Sequence, residues 1–375
     1  MKARRDRAMT VLPPALSGRE RYERFVQADV ERGRAMAAEQ ALSAAEVARV
    51  ILKDVDRRRG EAGAWSIEPR PVRGRDSWVF KAHTPSAPWP LAVKVHCAAV
   101  TPEDVAAKGD HLRAYHERMA GSPEFTVPAF WACLPRHRTL VMQWIEAPRM
   151  DDLLRRAGRD ERSRLFAAAG AWLRQYHAQS ESIVRPLKLK SYPRHIDVLL
   201  GGDEGAGRQV RDRIFRGAYE TLVDQTETFA RSRVAYVMTH GDFVPHNVFH
   251  GGGRTVGFDM VPRMRPALND IWHFLVHAEA TKPLSARGAR LGPMGLARQD
   301  AEAFLQAYGR LEHLGSEAAA ACMQLQEVLL RWAVIIAHLR RGGRRRPEHL
   351  VSWMRYRRMA NGAAEALRRG HGLIR

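Results

Sequence analysis

The chain has 375 residues, of which 45% are apolar and 27% charged. That length accommodates two packed lobes, and that apolar share excludes a chain that is disordered throughout. Lysine and arginine total 61 against 41 acids, a formal charge of +20, while Cys97, Cys133 and Cys322 lie too far apart for a disulfide framework and lack zinc-ligand spacing.

The first residues, Met1-Lys2-Ala3-Arg4-Arg5, have the basic character of an export signal, but Pro13, Pro14 and Gly18-Arg19-Glu20-Arg21 interrupt any apolar core. Apolar stretches such as Trp332 to Ala337 fall well short of the roughly 20 residues that span a bilayer. These features predict a soluble, cytoplasmic protein.

Residues 19–56 read as helical: Tyr22, Phe25 and Val26 share a stripe, and Ser43-Ala44-Ala45-Glu46 is a capping box opening a second helix. Arg57 to Gly63 reads as a charged turn. The period then changes to two, with Trp65 and Ile67, then Trp78 and Phe80, then Leu91, Val93 and Val95. His83 to Pro90, with three prolines, is the predicted hairpin loop. Thr101-Pro102-Glu103 opens a helix expected to reach about Met119. Val127 with Phe130 and Trp131, then Leu140-Val141-Met142, give two more strands.

Beyond Pro148 the pattern is mostly helical, over 152–157, 162–179, 208–228, 297–307, 317–339 and 351–368. The exception is 234–261, with short β-like runs at Val234 to Met238, Val248-Phe249 and Val256 to Phe258. The expected fold class is α+β and bilobal, with a small mixed β lobe, a connector at 143–148 and a larger mainly helical lobe. A cleft between two lobes is the commonest place for a small-molecule site.

The segment richest in chemistry is Thr239-His240-Gly241-Asp242-Phe243-Val244-Pro245-His246-Asn247, followed by Gly257-Phe258-Asp259. Asp242 and Asn247 flank a turn after a strand, and a short hairpin delivers Asp259. Two carboxylates and an amide oxygen on strand ends form a hard-oxygen set suited to Mg2+. Phosphoryl transfer uses such a set: one carboxylate accepts the proton of the attacking hydroxyl, and the other oxygens hold the metal. Asp242 is the expected base, with Asn247 and Asp259 as metal ligands. The plainer alternative is an Asx-turn that only stabilises the loop.

This segment resembles the catalytic loop of the aminoglycoside phosphotransferase and choline kinase superfamily, relatives of the protein kinases. The match is His240-Gly241-Asp242, Asn247 and then Gly257-Phe258-Asp259, with Pro245 two residues before the Asn. The resemblance implies a protein-kinase-like bilobal fold and an ATP-dependent, Mg2+-dependent kinase acting on a small hydroxyl compound. It makes Asp242 the catalytic base, Asn247 and Asp259 the metal ligands, and His240 a brace for the loop. Asp270 resembles the family's acid at the start of the next helix, a structural residue expected to cap helix N–H groups. Leu140 to Ile145 looks like the lobe connector, so the backbone at Gln143 and Ile145 would hold the adenine edge. His177, in a Leu-x-x-x-His helix end, is read as a core or capping histidine.

In Ala92-Val93-Lys94-Val95 a lysine stands among apolar neighbours, which is costly unless an anion meets its ammonium. The resemblance makes Lys94 the phosphate-clamping lysine; the alternative is an edge lysine reaching solvent. Arg73 to Phe80 occupies the place of the phosphate loop, where Ser77 and backbone N–H groups could contact phosphate, helped by Arg73 or Arg75. One departure stands out. Where the family has a glutamate to pair with the strand lysine, the register gives Lys108, with Glu103, Asp110 and Glu117 nearby, of which Asp110 or Glu103 could reach Lys94.

On this reading residues 1–64 are an N-terminal helical extension, 65–142 the nucleotide-binding small lobe, 143–148 the connector and 149–375 the large lobe. From Arg331 to Arg375 there are 12 arginines and two glutamates. If those arginines line the cleft, an anionic acceptor fits better than a polycation. Trp272, His273, His277 and Glu279 are candidates to line or support the site, Trp272 more plausibly by packing. An arginine-rich amphipathic tail could also touch anionic lipid, or be solvated surface. Two other functional classes compete with the kinase: a catalytically silent kinase-like binding protein, and a nucleic-acid binder, whose zinc-finger spacing, aromatic-interleaved basic strand and recognition helix are missing.

Overall fold

Alternating apolar residues in the first third of the chain build a sheet that is covered on both sides. The computed structural model describes residues 51–57, 65–68, 70–74, 76–97, 99–188, 191–202, 204–229, 231–282, 291–292, 294–309, 314–343 and 347–369. A helix at 51–57 (α1) precedes strands β1 (Ser66–Ile67), β2 (Val72–Arg73), β3 (Ser77–His83) and β4 (Leu91–His96). Helix α2 (Pro102–Met119) follows, then β5 (Phe125–Thr126), β6 (Phe130–Leu134) and β7 (Thr139–Gln143). The sheet order is β1-β3-β4-β7-β6, with β2 against β3 and every pair antiparallel.

Period-two alternation assigns the two faces. Phe80, Val93 and Val141 bury against Ile51, Leu52 and Val55 of α1. Ala92, Leu140 and Met142 point the other way, into one core with Leu112, Tyr115 and Met119 of α2. That helix starts where Thr101 and Pro102 predict: the Thr101 hydroxyl accepts the Asp104 N–H at 3.1 Å, and Asp104 answers the Thr101 N–H. Its Gly109 allows close approach, since an ideal Cβ there would lie 2.7 Å from the Cys133 sulfur. The Ser43–Glu46 box and most of the expected 19–56 helix lie outside the described residues.

The larger, mainly helical lobe contains α3 (Met150–Arg156), α4 (Arg159–His177), β8 (Ile183–Pro186), α5 (Ser191–Leu199) and α6 (Arg213–Thr228). Then come β9 (Arg233–Thr239), β10 (Val248–Gly251), β11 (Arg254–Gly257), β12 (Arg263–Pro266), α7 (Leu268–Ala280), α8 (Arg298–Tyr308), α9 (Glu317–Arg340) and α10 (Pro347–Arg369). β12, β9 and β8 form one antiparallel sheet; β10 and β11 form a hairpin whose second strand pairs in parallel with β5. β2, β5, β8, β12 and α5 have no counterpart in the sequence reading.

Helix α9 matches the helix expected over 317–339. It is 24 residues long and apolar enough, by length and composition, to cross a bilayer. Most of it is buried instead, with Trp332 and Leu325 wholly enclosed. Its apolar character comes from packing on several sides at once.

Candidate active site

Four short elements deliver the polar cluster. β9 ends at Thr239, a tight turn carries His240, Gly241 and Asp242, a single 3-10 turn spans Pro245–Asn247, and the β10–β11 hairpin returns the chain to Phe258 and Asp259. Gly241 is required twice over. Its φ is +82°, and a Cβ would sit 2.1 Å from the Val261 carbonyl oxygen. That approach brings the Val261 N–H to the His240 carbonyl at 2.7 Å, tying the loop to the segment after Asp259.

His240 is fully buried and acts as the brace. Its Nδ1 accepts the Asp242 N–H at 3.3 Å, so the ring proton sits on Nε2 and is donated to the Phe258 carbonyl at 3.0 Å. Burial pushes its pKa down, against the pull of Asp270, Asp242 and Asp259. The loop's other anchor is Asp270. Its carboxylate accepts the His240 N–H at 2.6 Å, the Gly241 N–H at 3.0 Å and His177 Nε2 at 3.0 Å.

Asp270 thus has a different partner from the one expected. It lies in the first turn of α7, which has no side-chain cap, and holds the His240–Gly241 backbone rather than helix N–H groups. Burial works to raise its pKa; the His177 hydrogen bond and the neighbouring imidazoles outweigh that and leave it lowered. His177 is a core histidine, as read, with the Tyr308 hydroxyl 2.8 Å from its Nδ1.

Asn247 contacts Asp242 through its side chain and the Phe258–Asp259 segment through its backbone. Its amide NH2 donates to the Asp242 backbone carbonyl and to Asp242 Oδ2, both at 2.9 Å. Its backbone carbonyl accepts the Phe258 N–H at 3.1 Å, which sets Asp259 beside it. Asp259 has φ +61°, a left-handed conformation unusual outside glycine and a frequent mark of functional sites.

Asp259 also receives Lys94. The ammonium, on β4 and only 7% exposed, donates to Asp259 Oδ1 at 2.6 Å. The lysine is therefore a buried, paired group rather than an edge lysine reaching solvent. Glu103 and Asp110 are exposed on α2 and do not supply the pairing acid; Asp259 does. Burial would raise the Asp259 pKa, but the charges of Lys94 and Lys108 and the Lys94 hydrogen bond hold it below the usual carboxylate range.

Around Asp242 lies a second group of residues. His273 of α7 places Nε2 3.3 Å from Asp242 Oδ1 and Nδ1 3.4 Å from Glu327 Oε1 of α9. Arg331, one turn on, donates Nε to Glu327 at 2.7 Å and a second nitrogen to His273. Burial opposes ionisation of Asp242, but the His273 hydrogen bond and the charges of His273, His240 and His246 take its pKa down to about 2. Glu327 is likewise lowered, its burial outweighed by His273 and Arg331. His246 and His277 stand side by side, ring centroids 5.4 Å apart. Glu327 was absent from the sequence reading. The available signal was a Glu and an Arg four residues apart in an otherwise apolar helix.

The remaining candidates divide. Ser77 is buried and packs on Gly74, whose ideal Cβ would meet the Ser77 hydroxyl at 2.8 Å. Gln143 spends its N–H on the Ala129 carbonyl at 2.8 Å and its side-chain oxygen on the Ala129 N–H at 3.4 Å, and Ile145 is half-buried. Arg73 lies over the Trp78 ring at 5.4 Å, and Arg75 falls outside the described residues. Trp272 is a core residue; Glu279 is buried, accepts the Ala297 N–H and pairs with Arg358, so it supports packing.

Among the described C-terminal arginines, Arg331 is the one placed beside Asp242. Arg340, Arg341 and Arg368 donate to backbone carbonyls, Arg358 pairs with Glu279 and Arg369 with Glu365. Arg357 and Arg368 line a separate cavity of about 390 Å³ between α6 and α10, which shares no residue with the Asp242 loop. The oxygen donors Asn247 and Asp259 fit a hard divalent cation. Among the described residues no cluster of three or more His, Cys, Asp or Glu is arranged around a metal position.

No protein-family profile matches the sequence, and no curated protein matches it. Solved structures do. Choline kinase LicA from Streptococcus pneumoniae superposes with a TM-score of 0.53 at 13% identity, over 85% of this chain and 99% of its own. A choline/ethanolamine kinase family protein from Mesorhizobium loti gives 0.51 at 14% identity, over 86% and 100%. A Ralstonia eutropha chain provisionally described as an aminoglycoside phosphotransferase gives 0.52 at 15% identity, over 85% and 97%. At these identities the likeness is one of fold: the chain has the bilobal, protein-kinase-like fold of the aminoglycoside phosphotransferase and choline kinase superfamily.

Proposed function

We propose that the protein is a Mg2+- and ATP-dependent phosphotransferase that moves a γ-phosphate to a hydroxyl of a small molecule. The observation that carries this reading is two polar pairs on adjoining segments, tied by the Phe258 N–H donated to the Asn247 carbonyl. Asp242 and Asn247 are joined at 2.9 Å, and Lys94 and Asp259 at 2.6 Å.

Asp242 is the base. It is ionised across the neutral range, 44% exposed at its side chain, and oriented by Asn247 on one oxygen and His273 on the other. A carboxylate offers about four lone-pair positions, so each oxygen retains capacity for an acceptor hydroxyl and its proton. Asn247 and Asp259 would hold the metal, which supplies neutralisation of charge on the phosphates when bound. Lys94 binds the nucleotide phosphates, with Ser77 and the backbone around Gln143 and Ile145 completing the nucleotide side.

The acceptor is a small hydroxyl compound, better anionic or neutral than polycationic. His273, His246, His277 and Arg331 stand near Asp242, and Glu327 is already matched by Arg331. A cytoplasmic location accords with such a substrate. The alternative, a catalytically silent binding protein, draws on one observation: the Lys94 ammonium sits on the carboxylate assigned to the metal.

Incubation with ATP, Mg2+ and a panel of sugars, amino alcohols, hydroxy acids and aminoglycosides, followed by mass analysis, separates the two. The kinase reading expects one compound to gain a phosphate with matching ADP release. Nucleotide binding with no turnover on any compound would favour the silent binder.

A further inference from the structure

Helices α6 and α10 each turn one face to a shared cavity that lies apart from the Asp242 loop. Arg213, Ile214, Gly217 and Ala218 follow the i, i+1, i+4, i+5 spacing of one side of a helix. Arg357, Asn361, Ala364 and Arg368 follow i, i+4, i+7, i+11 on the other. The cavity between them is about 390 Å³, within the range of small-molecule sites. Ile214, Arg357 and Asn361 also line an adjoining cavity, whose wall includes the exposed Met354.

The charge of this cavity is one-sided. Three guanidiniums and one amide supply its polar groups, and the lining residues include no acid. Asp212, the acid just before α6, is already committed. It accepts the Ile214 and Phe215 N–H groups at 2.9 and 3.2 Å and Trp353 Nε1 at 3.3 Å, and lies 3.5 Å from Arg357. Arg368 spends Nε on the Ala364 carbonyl at 3.2 Å, which leaves its terminal nitrogens. Among the described residues Arg213 and Arg368 pair with no acid. Guanidinium groups donate only, and their forked geometry matches oxyanions.

Gly217 is the second, independent observation. It stands in the interior of α6, where glycine is the least favourable residue after proline. Its φ is not positive, and an ideal Cβ there would meet nothing within 4 Å. Neither backbone conformation nor helix packing therefore calls for glycine. A longer side chain at this position would project into the cavity and fill it.

We propose that this cavity binds a phosphate monoester carrying a short apolar body, free in solution. The phosphate lies among Arg213, Arg357 and Arg368, and the apolar part runs along Ile214 toward Met354. Three guanidiniums suit the dianion and its three terminal oxygens better than a singly charged carboxylate. The site is separate from the phosphotransferase reading and does not depend on it.

Calorimetric titration of the full chain with hexyl phosphate, inorganic phosphate and hexanol tests this, beside the variants G217L and R213Q. The proposal expects hexyl phosphate to bind, inorganic phosphate to bind about tenfold more weakly, and hexanol to give no signal. R213Q should weaken hexyl phosphate about tenfold and G217L should abolish its binding, with the melting of both variants little changed. No binding of hexyl phosphate to the wild type, or binding that both variants retain, would overturn the proposal. So would binding to phosphatidate-containing vesicles without binding of free hexyl phosphate, which would make these arginines a membrane contact.

Discussion

Asp270 shows how one buried carboxylate can organise a loop it never enters. It accepts two consecutive backbone N–H groups and an imidazole, all from segments that must meet for Asp242 to be aimed. Its pKa is lowered in the folded protein, so it contributes stability above the unfolded value near 4, lost as pH falls through the folded value. Asp270→Asn turns an NH2 toward donors, and should cost about 3 kcal/mol in urea unfolding at pH 7. The gap between wild type and variant should narrow on acidification; a gap that widened would show that another group carries the loop. Spacing made Asp242, Asn247 and Asp259 legible because they are local in sequence, and a lone lysine in an apolar strand made Lys94 legible. The His273–Glu327 contact was not, because it exists only once α7 packs on α9.

Among elements, those governed by local rules were readable and those governed by closure were not. The Thr101-Pro102 start of α2 follows from capping chemistry, and the observed end at Met119 matches the expectation. β8 and β12 are four-residue strands carrying arginine and proline, and β5 is a two-residue strand paired in parallel with distant β11, Phe125 with Thr255 and Thr126 with Val256; none has a period to detect. Helix α4 packs on α8 through a glycine: a Cβ at Gly170 would lie 2.2 Å from the Phe304 carbonyl oxygen. Gly170→Ala should therefore separate the helices and cost about 1–3 kcal/mol in chemical denaturation. A neutral or stabilising result would mean the helices can shift without loss.

For the whole molecule, the buried histidines predict a direction of pH response. His96 is pushed down to about 3 and His111 to about 4, in each case chiefly by burial. The unfolded chain binds protons on these rings from about pH 6.5, whereas the folded chain resists until far lower. Stability must then fall as pH drops below about 6.5, and Tm should decline steadily between pH 7 and 5. A Tm that rose over that range would contradict the burial of these rings. The net charge of +20 is spread over the chain. Most described C-terminal arginines satisfy carbonyls or acids of their own lobe, and Arg331 alone among them stands beside Asp242.

The most direct measurement is the rate of phosphate transfer from ATP by Asp242→Asn beside wild type, with ADP affinity and Tm measured on both. The account predicts a fall of roughly 10²–10⁴-fold in turnover, with binding and melting little changed. Equal turnover in the two proteins would mean that the base lies elsewhere and that this loop does not perform the chemistry.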